Sequence, residues 1–574
     1  MSSAGLSESI EETFEDESAP PPSLDRPPLL WPGLRGLLGG VFAVVAVLLL
    51  QVVVASYYWL ADPSVSVALT PTWDIPVLVL LLVVCGALGL PRWASRTLVI
   101  ALSLIVFFYL VLGVGQGFAL REFGYDVVLA LHASYVPELF RMMYGGEPLG
   151  WFIFYVALLA TGTLLLGMAI FGSVRHLLAF SCRGRRRQLG LAAGMLAGFG
   201  LGAALLGVNG PVTAEAYTQL DLAINLKERL NTTAGRLDME AAKFKRMNPF
   251  VKASERPTIL VFVVESYGEV LFSDPDFAGF PSWMEEKGKR LTDVGYHASS
   301  RLMHAPVFGG SSWLAQSTLM CGVRIYNQKR YQSLFSSTVR CLPAMLNDAG
   351  YRTVVAAPNT KYLEDTYASK LPFDKYYFKP DYGYKGPRMG WSFMPDQFAI
   401  DFVHRREIAP RLAGTPTEPL FLAYFLTSSH HPWGVIPPYI EDWSRIGDGT
   451  IYNEVAATEY VNRFSKGAAY KPAYRTSVEY ALRSVVDYLA ALPQDDRSLV
   501  ILLGDHQPRR PIATMKQTPW YVPIHVLSRD PAAVARFAKL GYQPGFTPKK
   551  LEGEPSGMER FMQELFVAYG SSGR

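Results

Sequence analysis

The sequence predicts two structural parts: an α-helical membrane domain with five transmembrane helices, then an α/β domain with a mostly parallel central sheet. Half of the 574 residues are hydrophobic and only 18% are charged, whereas soluble chains carry about a quarter of charged residues. The long uncharged stretches all lie before residue 215, and short β-branched runs alternating with helical segments follow residue 257. A wholly soluble protein is therefore excluded.

Five stretches lack Asp, Glu, Lys and Arg and are candidates to cross about 30 Å of hydrocarbon, for which roughly 17 to 25 residues are needed. They cover residues 36–61, 75–91, 97–120, 148–174 and 188–214, and the second is the shortest. Buried helices of a soluble protein are the alternative, but five such runs would need an apolar core larger than a domain of this size contains. We therefore predict a membrane domain over residues 36–213.

The arginines predict the orientation of these helices, because short loops rich in Lys and Arg stay in the cytoplasm. They precede the first span and lie between the second and third and between the fourth and fifth, at Arg26, Arg35, Arg92, Arg96, Arg175, Arg183, Arg185, Arg186 and Arg187. The amino terminus is then cytoplasmic and everything after the fifth span is extracytoplasmic. Residues 1–35, acidic and then proline-rich, are predicted to be a disordered cytoplasmic tail. Residues 122–148 suit either an interfacial helix or a plain amphipathic loop helix.

The remainder divides into a helical juxtamembrane connector, residues 214–256, and a catalytic domain, residues 257–574. In the latter, β-branched and aromatic runs predict strands, and the segments 343–349 and 476–491 predict helices. The strands are expected at 258–264, 353–356, 420–426, 499–503 and 524–527. Buried strands alternating with helices indicate an α/β sheet covered on both faces.

Residues that end these strands are the first candidates for a site, because ligands collect beyond the carboxyl ends of such strands. Glu265 follows the first strand, His430 lies just after the third, and Asp505 and His506 follow the fourth. Carboxylates with imidazoles are a ligand set for a divalent metal. A capping Asp or a surface His explains any one of them, but the agreement of three strand ends favours a metal.

The segment Phe-Gly-Gly-Ser-Ser-Trp at 308–313 offers a group for such a metal to activate. Its two glycines permit a tight turn, and a helix that begins near Trp313 would present its amino end to an oxyanion. Ser311 is then predicted to be a nucleophile, with Ser312 as the alternative. The competing interpretation is that either serine only caps the helix.

Four motifs, VFVVESYG, FGGSSW, LTSSHHPW and LLGDHQP, follow the predicted spans in this order. From about residue 36 to its end the chain thereby resembles the lipoteichoic acid synthase type of membrane phosphotransferase. That type belongs to the alkaline phosphatase and sulfatase superfamily, as do the phosphoglycerol and phosphoethanolamine transferases of bacterial envelopes. The resemblance implies a sulfatase-like catalytic domain outside the bacterial inner (cytoplasmic) membrane.

Residue by residue, the resemblance implies a metal site of Glu265, Asp505, His506 and the nucleophile. It places Ser311 at the nucleophile position, where the synthases usually have Thr, and His430 at the position of a histidine that contacts substrate. Gly310 stands where a Lys is often found. After the second strand, residues 358–362 do not match the His and Trp with which synthases contact glycerol phosphate.

The implied activity moves a phospho-alcohol head group, in first place phosphoglycerol, from a phospholipid to an envelope glycan or lipid acceptor through a phosphoserine. One divalent ion is implied, Mn²⁺ first, with Mg²⁺ and Zn²⁺ as alternatives. A phosphoethanolamine transferase, a phosphatase or phosphodiesterase, and a non-enzymatic sensor or scaffold are the other hypotheses. The intact ligands argue against the last, and a net charge of only +4 gives no case for nucleic acid.

The four cysteines exclude a disulfide scaffold. The chain lacks the C/S-x-P-x-R pattern near Ser311, so formylglycine sulfatase chemistry is excluded. Only Cys321 and Cys341 are expected outside the membrane, as one bridge or as two free buried thiols.

Overall fold

A computed structural model describes most of the chain. It covers residues 32–61, 70–123, 127–133, 149–210, 212–246, 256–361, 365–415, 418–433, 435–456, 470–494, 496–549 and 553–569. The predicted disordered tail therefore lies almost entirely outside the described residues.

The amino-terminal part is helical, as predicted. Its helices are Pro32–Ala61, Asp74–Ala87, Arg92–Phe123, Leu129–His132, Leu149–Ser181 and Arg185–Leu206. Four stretches within them are long and apolar enough to cross a bilayer: Gly36–Ser56, Arg92–Arg121, Ile153–Ser181 and Arg185–Leu206. The second predicted span forms the 14-residue helix Asp74–Ala87, which at 1.5 Å per residue is about 21 Å long. The count of five spans therefore stays a prediction. Leu129–His132 is a short described piece of the segment predicted to be interfacial, most of which lies outside the described residues.

The connector forms two helices, Val212–Ile224 and Leu226–Ala241, that contact both parts of the chain. Asp74, at the start of the short apolar helix, accepts hydrogen bonds from the backbone N–H groups of Val212 and Thr213 at 2.7 and 3.0 Å. The second connector helix instead buries Leu237 in the same apolar cluster as the first strand of the sheet. The connector is thus packed at both of its ends.

The carboxyl-terminal part contains an eight-stranded sheet. Its strands are β1 (Ile259–Val264), β2 (His297–His304), β3 (Arg352–Ala357), β4 (Lys375–Phe378), β5 (Leu420–Leu426), β6 (Leu499–Gly504), β7 (Tyr521–Ser528) and β8 (Gln543–Pro544). Their order is β4-β3-β5-β1-β6-β7-β2-β8, with the first five parallel and the last three joined by antiparallel pairs. The prediction of an α/β domain with a mostly parallel sheet is confirmed, and β2, β4 and β8 are additions to it.

Helices cover both faces of this sheet. They are Val270–Ser273, Phe280–Asp293, Ser312–Cys321, Gln328–Phe335, Leu342–Asp348, Asp365–Lys370, Asp396–Val403, Ala409–Leu412, Ile451–Ala456, Tyr470–Ala491, Pro531–Ala538 and Phe561–Tyr569. In β1, Leu260, Phe262 and Val264 face one apolar cluster, and the alternate residues face the other. Burial on both faces explains why the parallel strands read as continuous apolar runs.

The register of the sheet brings three strand ends together. Val264, the last residue of β1, pairs with Leu426 of β5 on one side and with Gly504 of β6 on the other. The residues that follow each strand therefore emerge at one edge, as the sequence predicted. Cys321 and Cys341, both buried, form a disulfide, which resolves the two alternatives left open for them.

Candidate metal and nucleophile site

Glu265, Asp505 and His506 form one buried cluster at the carboxyl edge of β1 and β6. Each offers one ligand atom, and these atoms all lie within 4.8 Å of one another. Nε2 of His506 lies 3.3 Å from Oε1 of Glu265 and 3.5 Å from Oδ2 of Asp505. Each of the three residues is at most 5% exposed. The structure therefore brings together the three protein ligands predicted from separate strand ends.

Backbone groups fix the orientation of these side chains. Oδ1 of Asp505 accepts hydrogen bonds from the N–H groups of Ser266 and His506, at 2.8 and 2.7 Å, which leaves Oδ2 for the cluster. Nδ1 of His506 lies 2.8 Å from the carbonyl oxygen of Gln507. Because a carbonyl only accepts, Nδ1 carries a proton, and Nε2 is the atom that faces the carboxylates.

Gly504 makes the close approach of β1 and β6 at this edge possible. A Cβ atom at this position would lie 1.9 Å from the carbonyl oxygen of Tyr267. Any side chain would therefore push apart the two loops that carry Glu265 and Asp505. The requirement is one of space, since the φ of Gly504 is not positive.

The electrostatics of the cluster fit a bound cation. Burial and the nearby Glu265 carboxylate raise the pKa of Asp505 to about 7. Burial acts to lower the pKa of His506, but the two carboxylates outweigh it and raise that pKa to about 9. Without a cation the cluster thus retains protons at neutral pH, because two buried carboxylates repel each other. A divalent ion would supply that positive charge, and the oxygen and imidazole donors match its preferences.

Ser312 places its hydroxyl on this cluster. Its Oγ donates to Oε2 of Glu265 at 2.8 Å and lies 3.2 Å from Nε2 of His506. Ser312 is the first residue of the helix Ser312–Cys321, and Ser311 precedes it in the left-handed region with a φ of 65°. The geometry favours Ser312, the alternative, as the hydroxyl that works with the ligands. The preference for Ser311 stays a prediction.

His430 lies in the loop after β5, next to the cluster. Its ring stacks on that of Trp391, with centroids 3.5 Å apart and planes at 12°. Its Nδ1 lies 2.5 Å from the carbonyl oxygen of His431, so Nδ1 carries the proton and Nε2 is the unprotonated ring nitrogen. Burial lowers the pKa of His430, although the charge of Glu265 opposes this shift. His430 is thus a neutral imidazole at neutral pH.

The loop that carries His430 is held by residues that sequence reasoning missed. Oδ1 of Asp396 accepts from the N–H of Thr427 at 2.8 Å, and its two carboxylate oxygens lie 3.2 and 3.1 Å from the N–H of Ser428. Ser429 Oγ donates to the carbonyl oxygen of Glu265 at 2.6 Å, which connects this loop to the cluster of Glu265, Asp505 and His506. No motif marks Asp396, because its partners lie about 30 residues away in the sequence.

Among the residues after β3 that match no synthase pattern, Asn359 has a structural contact. Its Oδ1 accepts from the backbone N–H of Phe393 at 2.9 Å. This bond joins the loop after β3 to the segment that carries Trp391.

A buried set of two carboxylates and an imidazole, with a hydroxyl bonded to it at the carboxyl edge of a mostly parallel sheet, defines a candidate metal-dependent hydrolase or transferase site. The sulfatase family model matches residues 302–521, a stretch that includes Ser312, His430, Asp505 and His506. Over these residues the match confirms the resemblance to the sulfatase and alkaline phosphatase superfamily. No curated protein matches the chain significantly.

Several solved structures are similar in part to this chain. The lipoteichoic acid synthase LtaP from Listeria monocytogenes is 14% identical, with a TM-score of 0.38, over 58% of this chain and 79% of that one. The phosphoglycerol transferase GacH from Streptococcus pyogenes is 13% identical, with a TM-score of 0.34, over 59% and 91%. The membrane phosphoethanolamine transferase EptA from Neisseria meningitidis is 12% identical, with a TM-score of 0.44, over 92% and 95%. These values are too low to carry a functional argument, which rests on the side chains of this chain.

Proposed function

We propose that this protein is a membrane-bound, metal-dependent transferase that moves a phospho-alcohol head group from a phospholipid to an envelope glycan or lipid acceptor. Phosphoglycerol is the head group we propose first, with phosphoethanolamine as the alternative. The observation that carries the proposal is the Ser312 hydroxyl, which is hydrogen-bonded inside the buried set of Glu265, Asp505 and His506. A hydroxyl held there is positioned to form a covalent phosphoserine.

Glu265, Asp505 and His506, together with the serine oxygen, would hold one divalent ion, for which we propose Mn²⁺ before Mg²⁺ or Zn²⁺. Such an ion offsets negative charge on a serine oxygen and on phosphoryl oxygens. The chain's own contribution is orientation. The N–H groups of Ser266 and His506 fix Asp505, and the carbonyl of Gln507 fixes the tautomer of His506.

In the first half of the reaction, the Ser312 oxygen forms a bond to the donor phosphorus while the bond from phosphorus to the diacylglycerol oxygen breaks. The serine gives up its proton, and the diacylglycerol oxygen gains one. In the second half, an acceptor hydroxyl forms a bond to the same phosphorus, and the bond to Ser312 breaks. In the first half, Nε2 of the neutral His430 takes up the serine proton and passes it to the diacylglycerol oxygen. In the second half, it takes up the proton of the acceptor hydroxyl and returns a proton to the Ser312 oxygen.

The apolar helices support a lipid donor. They would anchor the catalytic domain at the bilayer surface, where a phospholipid head group is within reach. We propose that this surface is the extracytoplasmic face of the bacterial inner membrane, because the arginine-rich loops indicate a cytoplasmic amino terminus. The disulfide between Cys321 and Cys341 supports the same side, since disulfides persist in oxidising compartments.

The test is to incubate the purified full-length protein with Mn²⁺ and head-group-labelled phosphatidylglycerol or phosphatidylethanolamine. We expect diacylglycerol release and a phospho-head-group adduct that mass spectrometry maps to Ser312. Ser312→Ala should remove the adduct and lower turnover by at least about a thousandfold, whereas Ser312→Thr should keep measurable activity.

Ser311→Ala is the matched control, since it removes the neighbouring hydroxyl, and it should retain the adduct. An adduct on Ser311 would overturn the choice of serine but not the reaction. No adduct and no lipid turnover with either donor would overturn the proposed function. Release of free head group in the presence of acceptor would identify a hydrolase.

A further inference from the structure

A cavity of about 540 Å³ opens beyond the ends of β3 and β4, separate from the metal cluster. Its lining includes Lys361, which follows β3, Lys379, which directly follows β4, and Arg388, together with Tyr384, Phe393 and Met394. Both strands belong to the parallel part of the sheet, so the cavity lies at the same edge as Glu265 and Asp505. Ligands of parallel α/β sheets collect at this edge.

The lining is strongly basic. It contains three cationic side chains and no carboxylate. Within the described part of the chain, neither Lys379 nor Arg388 forms an ion pair with an acidic side chain. Both instead lie over the Phe393 ring, with Nζ of Lys379 2.9 Å and the guanidinium carbon of Arg388 4.8 Å from its centroid. Burial lowers the pKa of Lys379, and the positive charges of Lys361 and Arg388 lower it further.

The chain segment that lines this cavity contacts the loop that carries His430. Arg388 and Phe393 flank Trp391, whose ring stacks on His430. Ser392 Oγ lies 2.7 Å from Oγ1 of Thr427, at the start of the loop that carries His430. The segment that lines the cavity is therefore in contact with the loop that carries His430.

We propose that this cavity is a second anion subsite, in which Lys379 and Arg388, with Lys361, bind a phosphate-class group of the substrate other than the one that reacts at Ser312. The inference rests on the proposed function. A phospholipid with a single phosphate fills only the serine site. The second anion is then part of the acceptor, or of a donor with two phosphates. A cation pair facing a phosphate is a well-matched arrangement, because arginine binds two phosphate oxygens at once and lysine adds a point charge.

The first test measures binding without turnover. Full-length protein in detergent carries Asp505→Asn, which weakens the metal centre, and equilibrium dialysis with labelled inorganic phosphate gives Kd. Adding Lys379→Gln and Arg388→Gln should weaken phosphate binding at least about tenfold, whereas adding Lys385→Gln should leave it unchanged. Lys385 is the matched control, since it is an exposed lysine nearby that pairs with Asp448 and does not line the cavity. Equal phosphate binding by the double variant and by this control overturns the subsite.

Arg388→Glu guards against misfolding, because Arg388 is exposed and its reversal leaves the core untouched. A Tm equal to that of the parent, with phosphate binding lost, supports the subsite, and an unchanged Kd refutes it.

The second test uses the wild-type active site and distinguishes the two sources of the anion. If the acceptor supplies it, Arg388→Glu should raise KM for a phosphorylated acceptor and not for the donor. If the donor supplies it, only a donor with two phosphates should be affected. Turnover of the small diester bis(p-nitrophenyl) phosphate reports on Ser312 alone. Its absence in wild-type protein that still binds phosphate through Lys379 and Arg388 would reject the proposed function and leave the subsite standing.

Discussion

Asp396 should control the position of His430 without touching the substrate. It is fully buried at the start of the helix Asp396–Val403, and its carboxylate accepts hydrogen bonds from the N–H groups of Thr427 and Ser428. Asp396→Ala leaves these two donors without their acceptor. Each loss costs about 1 to 3 kcal/mol, so we expect the free energy of unfolding to fall by roughly 2 to 6 kcal/mol.

Asp396→Asn separates charge from hydrogen bonding. Burial raises the pKa of Asp396 to about 6, which means that the buried site disfavours the charged form. A neutral Asn should therefore be better tolerated here than at a site that stabilises the carboxylate. An amide oxygen at the Oδ1 position still accepts from the N–H of Thr427 and, at 3.2 Å, from that of Ser428, but an NH₂ group at the Oδ2 position cannot accept from Ser428. We therefore expect an intermediate loss of about 1 to 3 kcal/mol.

The assay combines denaturant unfolding with kinetics on a labelled lipid. Asp396→Ala should lower kcat more than it raises KM, because it displaces His430 and leaves the binding surface in place. Asp401→Ala is the control on the same helix, since Asp401 forms an ion pair with Arg405, and its loss should cost at most about 1 kcal/mol. Unfolding within 1 kcal/mol of wild type together with full kcat for Asp396→Ala would refute the reasoning.

Three further outcomes are expected. Asp505→Asn should remove bound metal, measured by elemental analysis, and lower turnover at least about a hundredfold. The Tm of the metal-free variant should be no lower than that of metal-free wild type, and retained metal with full activity would contradict the ligand assignment. Burial lowers the pKa of His525 to about 3, so between pH 6.5 and 3 the unfolded chain binds a proton that the folded chain does not. The free energy of unfolding should therefore fall by up to about 1.4 kcal/mol per pH unit as the pH drops through this range. His525→Gln should reduce this slope, and an unchanged slope would exclude His525 as its origin. A reporter fused after Glu215 should be active only outside the cytoplasm and one fused after Cys182 only inside, and the reverse pattern would invert the topology.

The sequence was informative about the candidate metal site because its residues follow parallel strands. Such strands are apolar on both faces, so β1, β5 and β6 read as uninterrupted runs, and the chain must expose its polar groups where each run stops. β2 was missed because it reads His-Ala-Ser-Ser-Arg-Leu-Met-His and buries Arg301 through an ion pair with Glu564. Glu564, the partner that compensates the buried charge of Arg301, lies more than 250 residues away in the sequence. No local sequence pattern therefore indicates that Arg301 is buried.

The two serines show a different limit. Ser311 and Ser312 are chemically identical, and what separates them is the φ of 65° at Ser311, which rotates the chain before the helix begins at Ser312. Left-handed backbone is usually marked by glycine, and here two glycines precede the serine that adopts it. Choosing between the hydroxyls therefore requires the structure.

The connector's second helix has a practical consequence for anyone who wants a water-soluble fragment. Leu237, Ala241 and Phe244 are buried against the sheet, and Glu240 pairs with Arg330. A fragment that begins at residue 257 would leave the apolar surface under this helix exposed on the carboxyl-terminal domain and would favour aggregation. A fragment that begins just before Leu226 keeps the helix that covers this apolar surface. Crystallisation should therefore use that boundary.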